Sequence, residues 1–170
     1  MKRAIGVAVM LVGMVALGMG HTAASATASQ AKPDFSGTWK LNLAKSDLGQ
    51  MAPTSETDTI TQTADQVKVA MTSEREQGTR SFTIAAKLDG TETPVPSDAF
   101  PADSPFKILT SKAEWVGNSL VITQTTSFQD SKGTLKSTYT LSDEGKVLTK
   151  ATHMTFDQGD FDSKSVYDKV

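Results

Sequence analysis

Few residues in this chain are of types that do covalent chemistry, and their spacing does not gather them. There are two histidines and no cysteine among 170 residues. His21 belongs to an apolar N-terminal stretch, so His153 is the histidine of the body of the chain. A serine nucleophile needs a base within hydrogen-bond reach and a third group to orient that base, and no nucleophile-elbow motif occurs. His153, between Thr152 and Met154, reads as a surface or wall residue. One histidine without cysteine does not make the usual zinc sites. Asp157-Gln158-Gly159-Asp160-Phe161-Asp162 sets three carboxylates around a glycine, the oxygen chemistry that calcium loops use. It lacks the twelve-residue spacing and the closing bidentate Glu, and reads as a solvated turn. Glu74 and Glu76 flank Arg75; paired carboxylates can serve acid–base chemistry, but this spacing reads as a charged turn. The sequence therefore predicts no catalytic residue, no metal and no cofactor.

What remains is the chemistry of binding. Beyond the N-terminus the chain has two arginines, Arg75 and Arg80. Arg80 is in phase with Phe82 and Ile84, and an inward guanidinium would hold a ligand carboxylate in bidentate fashion. The alternative is a rim salt bridge to Glu74 or Glu76. Period-two alternation groups Phe82, Ile84, Leu109, Trp115, Ile122, Phe128, Leu135, Tyr139, Leu141, Leu148 and Met154 on one face. Ser111, Thr126, Ser137 and Thr152 share it. A plain core and a lined cavity both fit this set. The hydroxyls favour the cavity, because a binding site is mostly apolar with a few placed polar groups. The candidate ligand-binding residues are Arg80, Phe82, Ile84, Leu109, Trp115, Ile122, Phe128, Tyr139 and Met154.

These side chains need strands to position them. Phe35-Ser36-Gly37-Thr38-Trp39-Lys40-Leu41-Asn42 alternates strictly, the mark of a strand buried on one face. Trp39 offers the largest apolar surface, and Gly37 beside it admits close backbone approach. Residues 44–49 break the alternation as a short helical turn or a loop. Strands follow over 58–63, 67–72 and 79–88, with Asp89-Gly90 signalling a tight turn. Residues 91–105 carry Pro94, Pro96, Pro101 and Pro105. Each proline removes a backbone donor, so this stretch is predicted to be a flap at one end of the sheet rather than a central strand. Further strands run over 106–116, 119–128, 134–141, 147–156 and 161–167. Nine strands in sequential order, with no apolar helical stripe, predict an all-β fold. Closing the sheet removes its edges, which favours a single antiparallel meander barrel of about 8–10 strands.

Met1-Lys2-Arg3, an apolar run from Ala4 to about Met19 and Ala24-Ser25-Ala26 have the order of a secretory signal peptide. The domains expected are therefore a signal over 1–26, a flexible lead-in over 27–33 and a β-domain over 34–170. Cleavage after Ala28 is the near alternative. Loss of Lys2 and Arg3 takes the net charge from −2 to −4, a poor match for nucleic acid or anionic membrane. The expected location is periplasmic or extracellular, with no stable membrane anchor.

Gly37-Thr38-Trp39 on the first strand resembles the G-x-W signature of the calycins, meaning lipocalins and fatty-acid-binding proteins. The longer run from Asp34 to Asn42 with Lys45-Ser46, and the turn Asp143-Glu144-Gly145-Lys146, resemble small exported bacterial lipocalin-like proteins of unknown function. The resemblance implies an antiparallel barrel with a cavity for a small apolar or amphipathic ligand, and gives Gly37 and Trp39 a structural part, the tryptophan closing one end. The function expected is binding or carrying of such a molecule without chemical change. The alternative is an envelope protein–protein interaction module with a filled barrel, and the least favoured is a hydrolase at the barrel mouth.

Overall fold

In the computed structural model the described residues are 31–49, 52–100, 104–129, 131–142 and 144–170. The expected signal peptide lies outside them, as does most of the lead-in. Ten strands follow in order: β1 (Gly37–Leu41), β2 (Ser55–Gln62), β3 (Gln66–Arg75), β4 (Gly78–Lys87), β5 (Thr93–Pro94), β6 (Phe106–Val116), β7 (Ser119–Phe128), β8 (Ser131–Leu141), β9 (Val147–Phe156) and β10 (Gly159–Lys169). All pairings are antiparallel, and the sheet order is β4-β3-β2-β1-β10-β9-β8-β7-β6-β5. β1 joins the first half of the chain to the last strand, so the meander rolls up. Closure is left to β4, which comes against β6 and the 3-10 turn Ser97–Ala99 without a ladder between them. The result is a nearly closed barrel with one seam.

The tenth strand, absent from the expected nine, is β5. It is two residues long and pairs only with β6, which is why Pro94 is tolerated: an edge strand has a side that needs no donor. The break after β1 is a 3-10 turn over Leu43–Lys45, capped by the Asn42 side chain accepting from Lys45 N at 3.3 Å.

The two ends of the barrel differ. At the end carrying the β2–β3, β6–β7 and β8–β9 turns, the inner face is filled. Trp39 is 0% exposed and its Nε1 donates to Phe35 O at 2.9 Å. Phe35 packs on Trp115 at 5.9 Å and edge-on to Tyr139 at 6.5 Å. Gly37 is required here: its φ is +141°, and a Cβ would meet the Lys169 side chain at 2.7 Å. At the other end the inner face opens to water. Phe161, in register with Met154 and Leu135, is 57% exposed, and Phe128 is 43% exposed.

Candidate functional site

The inner wall of β2, β9 and β10 carries a buried ionic cluster. Glu56 and Asp58 alternate in phase with Ile60, and Lys150 lies in phase between Leu148 and Thr152. All three charged residues are buried. Lys150 Nζ is 3.5 Å from Glu56 Oε1 and 3.6 Å from Asp58 Oδ2. Tyr167 Oη donates to Glu56 Oε1 at 2.6 Å, and Lys150 Nζ stands 5.1 Å from the Tyr167 ring centroid. Burial raises the Asp58 carboxyl above the usual carboxylate range, against the opposing pull of Lys150. Burial alone would lower the Lys150 ammonium. Tyr167, Asp58, Tyr139 and Glu56 around it outweigh that and hold it well above the usual lysine value. Burial also pushes the Tyr139 phenol up to about 12.

The facing wall is polar in a different way. Ser111 on β6 is in register with Gln124 on β7 and with Thr93 on β5, and Thr126 is two residues along from Gln124. Ser111 Oγ, Gln124 Nε2, Thr126 Oγ1 and Thr93 Oγ1 are buried with no hydrogen-bond partner among the described residues. Leaving such a group dry and unpaired costs about 1–3 kcal/mol each. Ser137 Oγ and Thr152 Oγ1, by contrast, satisfy one another at 3.1 Å.

An open cleft of about 680 Å³ lies at the seam, lined by Ala70, Thr72, Ser81, Thr83 and Ala85 of the outer face, by Met71 and Phe82 of the inner face, and by Thr93, Pro94, Val95, Pro96, Asp98 and Ala99 of the proline-rich segment. Phe82 stacks on Phe100 with centroids 5.5 Å apart, and Phe100 is buried in the core. A space of ligand size thus lies at the seam. The lined cavity that the hydroxyls led one to expect is not where these polar groups sit: Asp58, Ser111 and Thr126 are each 0% exposed, packed directly against neighbouring side chains.

The residues singled out from sequence fall into separate places. Ile84, Ile122 and Tyr139 are core, and Trp115 packs against it at the filled end. Phe82 lines the cleft, while Met154 and Phe128 face the open end. Leu109 is displaced from the inner row. A β-bulge between Ile108 and Thr110 leaves it the extra residue, and Ile108 takes the buried place opposite Thr126. Arg80 has the inner-face phase but is exposed, opposite Ser73 near the end of the hairpin. The buried cation is Lys150. His153 is exposed on the outer face, its Nδ1 2.8 Å from Asp162 Oδ1. It adjoins a shallower outer cleft of about 330 Å³ with Lys136, Lys164 and Asp47. Among the described residues no group of three or more His, Cys, Asp or Glu is arranged to hold a metal ion. The ionic cluster was missed, although the signal existed: charged residues spaced two apart from apolar ones on a strand.

Ten antiparallel strands rolled in sequential order, with a Trp-plugged end and an inner wall of mixed polarity, define a nearly closed meander barrel. No protein-family model matches the chain, and no curated protein matches it in sequence. Among solved structures it is similar to zebrafish ileal bile acid-binding protein complexed with cholic acid, at 16% identity and a TM-score of 0.51, covering 80% of this chain and 98% of that one. It is also similar to secretory abundant heat soluble protein 4 from Ramazzottius varieornatus, at 15% identity and a TM-score of 0.48, covering 84% and 99%. At these identities the likeness is one of fold.

Proposed function

We propose that this chain is an exported, single-domain carrier that binds a small, largely apolar or amphipathic molecule within its barrel and releases it chemically unchanged. One observation carries the reading: buried hydroxyl and amide groups without a hydrogen-bond partner, Ser111, Gln124, Thr126 and Thr93, stand on strands β5 to β7, and Thr93 among them lines a cleft of ligand size. A barrel with only a structural task gains nothing from buried hydroxyls without a partner, whereas a binding wall uses a few placed polar groups. The zebrafish barrel of the same fold, in complex with cholic acid, supports the same reading. Binding rather than turnover accords with the placement of His153 on the outer face, remote in the pleat from the inner polar rows.

Native mass spectrometry of protein recovered from the exported fraction of its source tests both halves. The expected species begins at Thr27 or Ser29 and carries an additional small mass that gentle activation removes. Retention of residues 1–26 would overturn the export reading. A bare chain that also gives no saturable Trp39 and Trp115 fluorescence change with a lipid panel would overturn the carrier reading.

A further inference from the structure

At the seam the backbone of β4 is itself a binding surface. β4 ends the sheet order, so among the described residues no ladder pairs its second edge. Two backbone bonds fix which way its residues turn. Thr54 N donates to Glu74 O at 2.8 Å, so the even residues of β3 turn toward β2 and the odd ones toward β4. Leu88 N donates to Asp65 O at 2.9 Å, back toward β3. With Ser73 in register with Arg80 and Met71 with Phe82, the even residues of β4 bond β3. Thr79, Ser81, Thr83, Ala85 and Lys87 therefore turn their N–H and C=O groups to the seam. Long bare edges are usually blunted by prolines, bulges or charges. β4 has no proline, its register with β3 is unbroken, and its charges, Arg80 and Lys87, stand near its ends.

The opposite lip does not supply the missing strand. Thr93–Pro94 pairs with β6, and Gly90 N and Val95 N donate to Ala113 O and Leu109 O, so its backbone is engaged by β6. Pro94 and Pro96 have no N–H to offer β4. The seam cleft of about 680 Å³ runs along Ser81, Phe82, Thr83 and Ala85. At about 3.4 Å rise, 4.8 Å strand spacing and 10 Å depth, that space takes about four residues of extended chain. A row of alternating N–H and C=O groups is complemented by another extended backbone and not by a lipid chain. We propose that an extended polypeptide segment adds antiparallel to the edge of β4 and completes the seam. Its side chains follow from the pleat, because residues opposite one another share a face. Those opposite Ser81, Thr83 and Ala85 bond to β4 and lie outside, beside the small Ala70 and Thr72. Those opposite Phe82 and Ile84 point inward, toward Phe82 and Met71. The segment thus alternates small polar with apolar residues, and an acidic residue at its end meets Arg80, since Gly78–Lys87 carries no acid of its own.

The probe is the peptide acetyl-Thr-Val-Thr-Val-Thr-Glu-amide bearing a fluorophore, titrated by anisotropy. Its threonines present their N–H groups to β4 and its valines present theirs to the far lip. N-methylation of the threonines is expected to weaken binding by at least about tenfold, and N-methylation of the valines by less than about threefold. Thr83→Pro removes an N–H at the seam and none from the β3 ladder, and is expected to lose about tenfold as well. Should that variant misfold, as read by circular dichroism, the two methylated peptides on the unaltered protein still decide. If the parent peptide does not bind, or if the two methylated peptides bind alike, the assignment is overturned. A dimer of the protein that the peptide dissociates also overturns it, since a second copy then holds the edge. None of these outcomes bears on the carrier reading, which the lipid titration tests separately.

Discussion

At the scale of single residues, Lys150 is the side chain on which most depends. It stands between two buried carboxylates, and a buried ion pair contributes little net stability yet is costly to break from one side. Lys150→Met leaves Glu56 and Asp58 without their cation and is expected to cost about 3–5 kcal/mol in urea unfolding. The triple variant Glu56→Leu, Asp58→Leu, Lys150→Met should recover most of that loss. If the triple variant is no more stable than the single one, the penalty lies elsewhere than in the stranded carboxylates. Asp58 adds a pH dependence whose sign follows from burial. Its folded pKa is raised, so between the unfolded value of about 3.9 and that raised value the folded state holds the extra proton. Stability conferred by this group is therefore full below about pH 4 and is lost as pH rises through the folded pKa. Asp58→Asn lacks this titration. Its stability relative to the unaltered protein should rise from about pH 4 upward and then level off. A difference that shrinks over that range would contradict the assignment.

At the scale of elements, the strands carry their pattern with two local exceptions. The β6 bulge at Leu109 inserts one residue and so exchanges which neighbour faces inward. Period-two counting from Trp115 back through Ala113 and Ser111 reaches Leu109, but the chain places Ile108 there. A bulge leaves no mark in hydrophobic alternation when both candidates are apolar. Gly133 marks the other exception. Its β8 position faces Phe156 on β9, and a Cβ would meet the Phe156 ring and Thr155 O at 2.5 Å. Since one of these is backbone, a rotamer change does not relieve the clash. Gly133→Ala is expected to destabilise by about 1–3 kcal/mol, read as a lower denaturant midpoint with an unchanged slope. An unaltered midpoint would mean that β8 and β9 separate readily at the open end.

For the molecule as a whole, rolling the meander brings chain ends and distant strands into one interior. Glu56 and Tyr167 lie 111 positions apart and share a hydrogen bond; Glu56 and Lys150 lie 94 apart. The all-β fold, its sequential order, the buried Trp39 and the inner placement of Ser111, Thr126, Ser137 and Thr152 were legible in the chain itself, because alternation and turn residues are local signals that burial on one face enforces. Only the tertiary structure decided which polar residues face one another and which go without partners. It also decided where the barrel fails to close and that the buried cation is Lys150 rather than Arg80. Those outcomes depend on barrel register and shear, which set the neighbours of each inner side chain across strands far apart in sequence. No window of neighbouring residues encodes them.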